Sequence, residues 1–295
     1  MSTLRQLSEG MSAALEAIAP HVVEVRGRRR PATGIVWGPE RVVTAAHVLR
    51  RDHDLEVVDA GGTVHAAELV GRDPSTDVAL LAVPGAALVA PTWADPANVK
   101  LGNLVLPVGR RATSLRSVLG MVAERGGAWQ TLHGGRVDEW IDVDAELPPG
   151  FSGGPLVDVD GHVIGLSTHG LTPRGAVLVH ATLARVTERL EQRGSVAPGY
   201  LGVGFYPAEG GGDALVVVSV EPGGPGAEAG VQVGDLLQTF DQVEVHGVRH
   251  LLGLLAASGA GAEVELGFLR AGQPTPIRLT LAARPLQKAW GRCSG

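Results

Sequence analysis

The chain has 295 residues, a formal net charge of −6 and one cysteine, Cys293. That length has room for about two domains, the charge leaves no basic field to attract nucleic acid, and a lone cysteine excludes an intrachain disulfide and the disulfide-stapled class of secreted domain. Hydrophobic residues make up 44 %, glycines number 42 and aromatics are only 4 %, a balance that favours turns and short strands over long helices. No apolar run has the length of a secretory leader or a membrane span. The sequence as given therefore predicts a cytoplasmic protein, or a periplasmic or extracellular one if its N-terminus is truncated.

In chain order, Leu4, Leu7, Met11, Leu15 and Ile18 recur at steps of three and four, the spacing of one helix face ending before Pro20. This predicts an N-terminal helix over 1–19, packed on the body or used in an oligomer contact. Arg28-Arg29-Arg30 reads as a solvated loop. Short strands are predicted at His21–Val25, Gly34–Trp37, Val42–Thr44, Leu55–Val58, Val64–Val70 and Val78–Val83, punctuated by Gly and Pro. His47, in Thr-Ala-Ala-His, follows one of these strands, and Asp77, in Ser-Thr-Asp-Val-Ala-Leu-Leu, precedes another. Residues 90–99 read as a crossover linker. A second set of strands is predicted from Leu104 to about Val179, broken by Pro-Pro-Gly-Phe-Ser-Gly-Gly-Pro-Leu at 148–156 with Ser152 at its centre. A helix over 181–193, lined by Leu183, Val186 and Leu190, ends at Gly194 as its C-cap, and 195–199 is a short linker. Beyond it, strands are predicted at Leu215–Val220, Ala262–Leu269 and Thr275–Ala282. Between them lie a Gly-rich loop and helical turn over 223–231 and a helix at Val248–Ser258.

A serine hydroxyl needs a base within reach, and the base needs a third group to hold its tautomer. Ser152, His47 and Asp77 can supply those roles. They occur in the order His47, Asp77, Ser152, with 30 residues between the first two and 75 between the last two (77 − 47 and 152 − 77). That order belongs to the chymotrypsin-like double barrel and not to subtilisins or α/β-hydrolases. An oxyanion hole needs backbone N–H groups aimed at one point, and Gly150 and Ser152 are the natural donors. Pro148 and Pro149 stiffen the loop without competing as donors.

These words, with Gly199-Tyr200-Leu201-Gly202-Val203 and Ala-Gly-Val-x-Val-Gly-Asp at 229–235, resemble the HtrA (Do-like) family of bacterial serine peptidases over roughly residues 20 to 285. The resemblance implies a mainly β chain: an N-terminal helix over 1–19, a chymotrypsin-like double β-barrel over 20–194 that ends in the linker helix 181–193, an α+β PDZ domain over 198–286 and a tail over 287–295. It implies an ATP-independent endopeptidase for unfolded or damaged protein, with no cofactor. His47, Asp77 and Ser152 would be catalytic, and Ser167, Thr168 and His169 would be the strand beside the specificity pocket. The amides of Leu201, Gly202 and Val203 would bind the C-terminus of a peptide. Leu251, Leu254 and Leu255 would line the groove or belong to the core. Homotrimers are among the assemblies it implies. Two departures stand out. Phe151 replaces the Asn usual before the nucleophile in this family and the Asp of trypsins, so no switch can pair a new N-terminus with that Asp. The segment before Gly34 is also shorter than in members that carry a long regulatory loop there.

The other tempting residues have plainer readings. His21, His53, His65, His133, His162, His169, His180, His246 and His250 show no metal-ligand spacing, and His169 is the one expected near substrate. Asp158 and Asp160 flank a turn at Gly161. Glu146 lies near where trypsins hold the acid that selects Lys or Arg, whereas the family's pocket is apolar. Rival readings are a peptide-binding or chaperone-like protein with a silent protease site, and an esterase, which the triad order disfavours.

Overall fold

A computed structural model of the chain describes residues 3–27, 31–131, 134–172, 174–194, 199–207 and 214–283. The Arg28-Arg29-Arg30 cluster, His133, most of the 195–199 linker, Cys293 and the tail lie outside these. The chain divides into two compact units, Met1–Thr131 with Arg136–Val196, and Leu132–Gly135 with Ala197–Gly295.

The first unit opens with helix α1 (Thr3–Ile18) and a 3-10 turn at Ala19–His21, where Pro20 stops the α-helix. Strands β1 (Val22–Arg26), β2 (Ala32–Gly38), β3 (Arg41–Ala45), β4 (Leu55–Val58), β5 (Val64–Asp73) and β6 (Val78–Ala82) close into a barrel in the order β1-β2-β3-β6-β5-β4. Next come β7 (Leu104–Arg111), β8 (Ser114–Ser117), β9 (Gly120–Gly126), the small pair β10 (Trp129–Gln130) and β11 (Arg136–Val137), β12 (Trp140–Val143), β13 (Pro155–Val157), β14 (Val163–Thr168) and β15 (Ala176–Val179). Of these, β13-β14-β15-β12-β9-β7 is a continuous run whose ends pair with each other, which makes a second six-stranded barrel; β8 hangs on β7 as a hairpin. Helix α2 (His180–Arg193) follows and ends at Gly194, whose φ of 71° suits the C-cap that the sequence suggests.

Doubled apolar residues explain the packing. Successive side chains on a strand face opposite ways. In β1, β3 and β6 one member of each pair, Val23, Val42 and Leu81, lies in the interior of the first barrel. Its neighbour, Val22, Val43 or Leu80, joins a cluster shared with Leu106, Val157 and Leu178 of the second barrel and with Ile18 and Leu183 of the helices. The second barrel repeats the device: Leu156, Ile164 and Val177 fill it while Val157, Val163 and Leu178 face the seam. At about 1.5–3 kcal/mol per buried Val or Leu, two-sided burial makes the seam as strongly apolar as either interior.

The second unit contains β16 (Gly199–Tyr200), β17 (Val203–Pro207), β18 (Leu215–Val220), α3 (Pro225–Glu228), β19 (Leu236–Phe240), β20 (Val243–Glu244), α4 (Gly247–Ser258), β21 (Glu263–Arg270), β22 (Gln273–Thr280) and β23 (Ala282–Ala283). Its sheet runs β17-β18-β19-β21-β22, so β17 is an edge strand. The β16–β23 pairing joins the two ends of the unit. Leu251 and Leu255 of α4 lie in the core with Leu201, Leu215 and Phe268, and Leu254 is half-buried against it. The 3.6-residue period thus sends two of the three leucines inward.

In the first unit His180 stacks on Trp37 (5.3 Å, 27°) and tilts against Trp93 (4.5 Å). Burial holds its imidazole below the usual histidine range. The unfolded chain therefore takes up this proton first, near pH 6.5, so stability falls as pH drops below that value and levels off once the folded ring also titrates. Replacing His180 by Phe keeps a ring and removes the titration. Thermal melts between about pH 7.5 and 5.5 are expected to show a smaller loss in His180→Phe than in the parent chain; equal losses would mean that His180 does not contribute.

Candidate active site and peptide groove

Each of the three sequence-predicted residues sits where a strand begins or ends. His47 lies in the 3-10 turn Ala46–Val48 that follows β3. Asp77 immediately precedes β6 and has φ of 58°, a left-handed conformation that Asp tolerates better than most residues. The preceding turn is braced by Asp73, which accepts hydrogen bonds from Ser75 N–H (2.9 Å), Ser75 Oγ (2.5 Å) and Thr76 Oγ1 (2.9 Å). Asp77 is 3 % exposed and its carboxylate accepts three hydrogen bonds: from His47 N–H (2.8 Å), from His47 Nδ1 (2.8 Å) and from the Thr168 hydroxyl. A carboxylate can only accept here, so Nδ1 carries a proton and Nε2 is the ring nitrogen not engaged by Asp77. The Thr168 oxygen in turn accepts from Gly170 N–H (2.9 Å).

Ser152 lies in the turn before β13 and is 6 % exposed. That turn is tied down on both sides: Gly153 N–H donates to Ser167 O (2.8 Å), Ser167 N–H to Gly154 O (2.8 Å) and Gly154 N–H to Phe151 O (2.9 Å). The Ser152 Oγ hydrogen bond goes to His169 Nδ1 at 3.2 Å, and no His47–Ser152 hydrogen bond occurs among the described residues. His169 is held below the usual histidine range, first by burial and then by His47, against the opposing pull of Glu146. It is therefore neutral at pH 7 and able to share a hydrogen bond with a hydroxyl.

The remaining sequence expectations fall out unevenly. Gly150 has φ of 96°, and neither its N–H nor that of Ser152 has an acceptor among the described residues. Thr168 is fully buried with its hydroxyl on Asp77, so its side chain is not available to line a pocket. Ser167 is buried too, and its Oγ has no partner among the described residues. Glu146 is exposed and acts on His169 from the surface instead of sitting at the floor of a pocket. Asp158, Asp160 and His162 come within 4.8 Å of one another because Asp158 Oδ1 caps the turn, accepting from the N–H groups of Asp160 (3.0 Å) and His162 (2.8 Å); the sequence reading had the turn but not His162 in it. Thr33, Arg116 and Gly170, which contact the site, were not singled out by sequence: each is a common residue in an ordinary strand or loop.

In the second unit, the Leu201 side chain is in the core, while its carbonyl accepts from Gly226 N–H (2.8 Å) and that of Gly202 from Glu221 N–H (2.8 Å). The C=O and N–H of one peptide point in opposite directions, so with the Gly202 carbonyl on Glu221, just past β18, the Val203 N–H faces the open edge. The N–H groups of Leu201 and Gly202 have no acceptor among the described residues. Helix α4 lies alongside β17, so an open strand edge and a helix run next to each other.

Comparison with known proteins agrees with this layout. A family model described as a trypsin-like peptidase domain matches residues 32–166, and one described as a PDZ domain matches 199–281. These define the class: a trypsin-like serine peptidase domain followed by a PDZ domain. Over 267 residues the chain is 32 % identical to the probable periplasmic serine endoprotease DegP-like of Brucella suis biovar 1, covering 84 % of this chain and 51 % of that protein. It is 30 % identical to the protein of the same description from Halomonas elongata, covering 91 % and 60 %. The chain spans about half the length of the curated relatives it matches. Among solved structures, the serine endoprotease from Yersinia pestis superposes with a TM-score of 0.71 at 25 % identity, covering 92 % of this chain and 97 % of that one. The HtrA-type protease AlgW with decapeptide does so with 0.70 at 23 %, covering 94 % and 99 %, a likeness of fold. The chain belongs to the HtrA family of serine peptidases.

The Asp77 contacts generate a test. A Cβ on Gly170 would lie 2.2 Å from Asp77 Oδ2, so Gly170→Ala must push the carboxylate out of place. Labelling of the chain by a fluorophosphonate is expected to slow by about 10²-fold or more, the cost of misplacing a catalytic group by roughly 1 Å. Labelling at the parent rate in a folded Gly170→Ala chain would mean that the Asp77 position is not needed.

Proposed function

We propose that the chain is an ATP-independent serine endopeptidase that cleaves unfolded or damaged protein through an acyl-enzyme, with its PDZ unit binding C-terminal peptides. The observation that carries this reading is the Asp77–His47 pair, which fixes the imidazole with Nε2 not engaged by Asp77. Ser152 Oγ attacks the scissile carbonyl as His47 Nε2 takes its proton. The N–H groups of Gly150 and Ser152 hold the developing oxyanion, His47 returns the proton to the leaving amine, and water then releases the acyl group by the same steps. Ser152 Oγ, which lies 3.2 Å from His169 Nδ1, turns to His47 for this step. With His169 neutral and Glu146 exposed, apolar residues before the cut are favoured over Lys or Arg.

The relatives' names describe endoproteases, which favours an active peptidase over a peptide-binding protein with a silent site. Those names also include a periplasmic setting, and we adopt it in place of the cytoplasmic expectation. No helix among the described residues is long and apolar enough to cross a membrane.

Ser152→Ala is expected to abolish casein cleavage and fluorophosphonate labelling, by about 10⁴-fold or more given the cooperative losses of such sites. Casein turnover near the parent value in that variant would remove Ser152 from the mechanism.

For the groove, peptides with a free apolar C-terminus are expected to bind at about micromolar affinity. Their amidated counterparts should bind about 10- to 100-fold more weakly, because the loop amides then face no charge. Calorimetry on matched acid and amide peptides with Ser152→Ala protein decides this; equal affinities would mean that the groove does not read C-termini.

A further inference from the structure

The loop that presents Gly150 has a difficulty that the serine-peptidase reading leaves open. Glycine populates positive and negative φ about equally readily, so Gly150 has no intrinsic reason to hold its φ of 96°. Phe151, the next residue, offers neither a charge nor a side-chain hydrogen bond to fix it. It is 1 % exposed and lies against Gly109, where a Cβ would come within 2.8 Å of the ring.

The contacts around the loop supply the answer. Arg116, on the β7–β8 hairpin, donates from Nη1 to the carbonyl of Pro149 (3.2 Å). Its Cζ lies 5.2 Å from the centroid of the Phe151 ring. The Gly150 carbonyl accepts from the Thr33 hydroxyl (2.6 Å), whose oxygen accepts from Arg110 N–H (3.0 Å). Phe151 N–H donates to Pro148 O (3.2 Å). The peptide planes on both sides of Gly150 are thus gripped from outside the loop. In a trans peptide, C=O and N–H point in opposite directions. Holding the Pro149 carbonyl on Arg116 therefore aims the Gly150 N–H the other way.

We propose that Arg116 is a positioning residue for the oxyanion hole, acting through the Pro149–Gly150 peptide while braced on the face of Phe151. The proposal rests on the serine-peptidase reading above. Arginine suits the place because its planar guanidinium donates in its plane and stacks on an aromatic face at the same time. Lysine can donate but cannot do both. The arrangement also gives Phe151 a use: its ring is the platform on which the Arg116 donor rests.

Arg116→Ala and Arg116→Lys, measured beside the parent chain with fluorescein-casein and a fluorophosphonate, test this. Arg116 is exposed, so the melting temperature of Arg116→Ala is expected to hold to within a few degrees. Its kcat is expected to fall about 10- to 100-fold with KM within about twofold, since losing a whole oxyanion donor costs about 10²–10³ in kcat. The labelling rate should fall with kcat, because the phosphonyl oxygen uses the same N–H groups. Arg116→Lys should recover part of the rate. Parent-level kcat in Arg116→Ala, or a loss confined to KM, would overturn the proposal. Ser152→Ala, run in parallel, separates the two failures: casein cleavage by that variant sinks the nucleophile assignment itself, whereas an inert Ser152→Ala beside a fully active Arg116→Ala sinks only the role of Arg116.

Discussion

The site depends on one buried carboxylate. Asp77 is removed from water, which is costly for a charge unless hydrogen bonds replace the lost hydration. Its donors come from two directions. Two belong to His47, on the same barrel, and the third is the Thr168 hydroxyl, at the end of β14 in the other barrel. The carboxylate therefore orients the His47 ring and also pins one barrel to the other. Its left-handed backbone and the Asp73 brace upstream indicate how firmly the surrounding turn must hold it.

The seam is what lets such a contact form reproducibly. Strands with apolar side chains on both faces place one set in a barrel and the other between the barrels. A close-packed apolar interface resists displacement, because even small gaps forfeit dispersion contacts. Thr33 adds a polar stitch across it: its N–H lies 3.4 Å from Ser152 O and its hydroxyl donates to Gly150 O. The Ser152 loop is thereby registered against the barrel that carries His47.

Much of this was legible in the sequence, for identifiable reasons. His47, Asp77 and Ser152 each sit in an uncommon run of residues, and their order selects a fold. The strands were legible because runs such as Val42–Val43 and Leu80–Leu81 are bounded by Gly and Pro. Thr33 and Arg116 were not legible. Thr33 meets Gly150 across 117 residues of chain and Arg116 meets Pro149 across 33, and only the register of the barrels gives those residues meaning. Thr168 was read as part of a pocket strand, since sequence cannot say that its hydroxyl turns inward to Asp77. Strand β17 was not legible, because Gly204 and Pro207 break the usual strand pattern although the ladder with β18 runs through both.

Strand β17 has one more consequence. It is the outermost member of its sheet, and an unpaired backbone edge accepts any extended chain, including another copy of the same molecule. An edge left open in this way is also exposed to self-association. Two features of the strand limit that hazard. The register slips between Gly204 and Phe205, which twists the edge away from the flat geometry that indefinite stacking needs. Pro207 then closes the strand with a residue that has no N–H to offer. The ladder that this edge offers to another extended segment is thus short and interrupted.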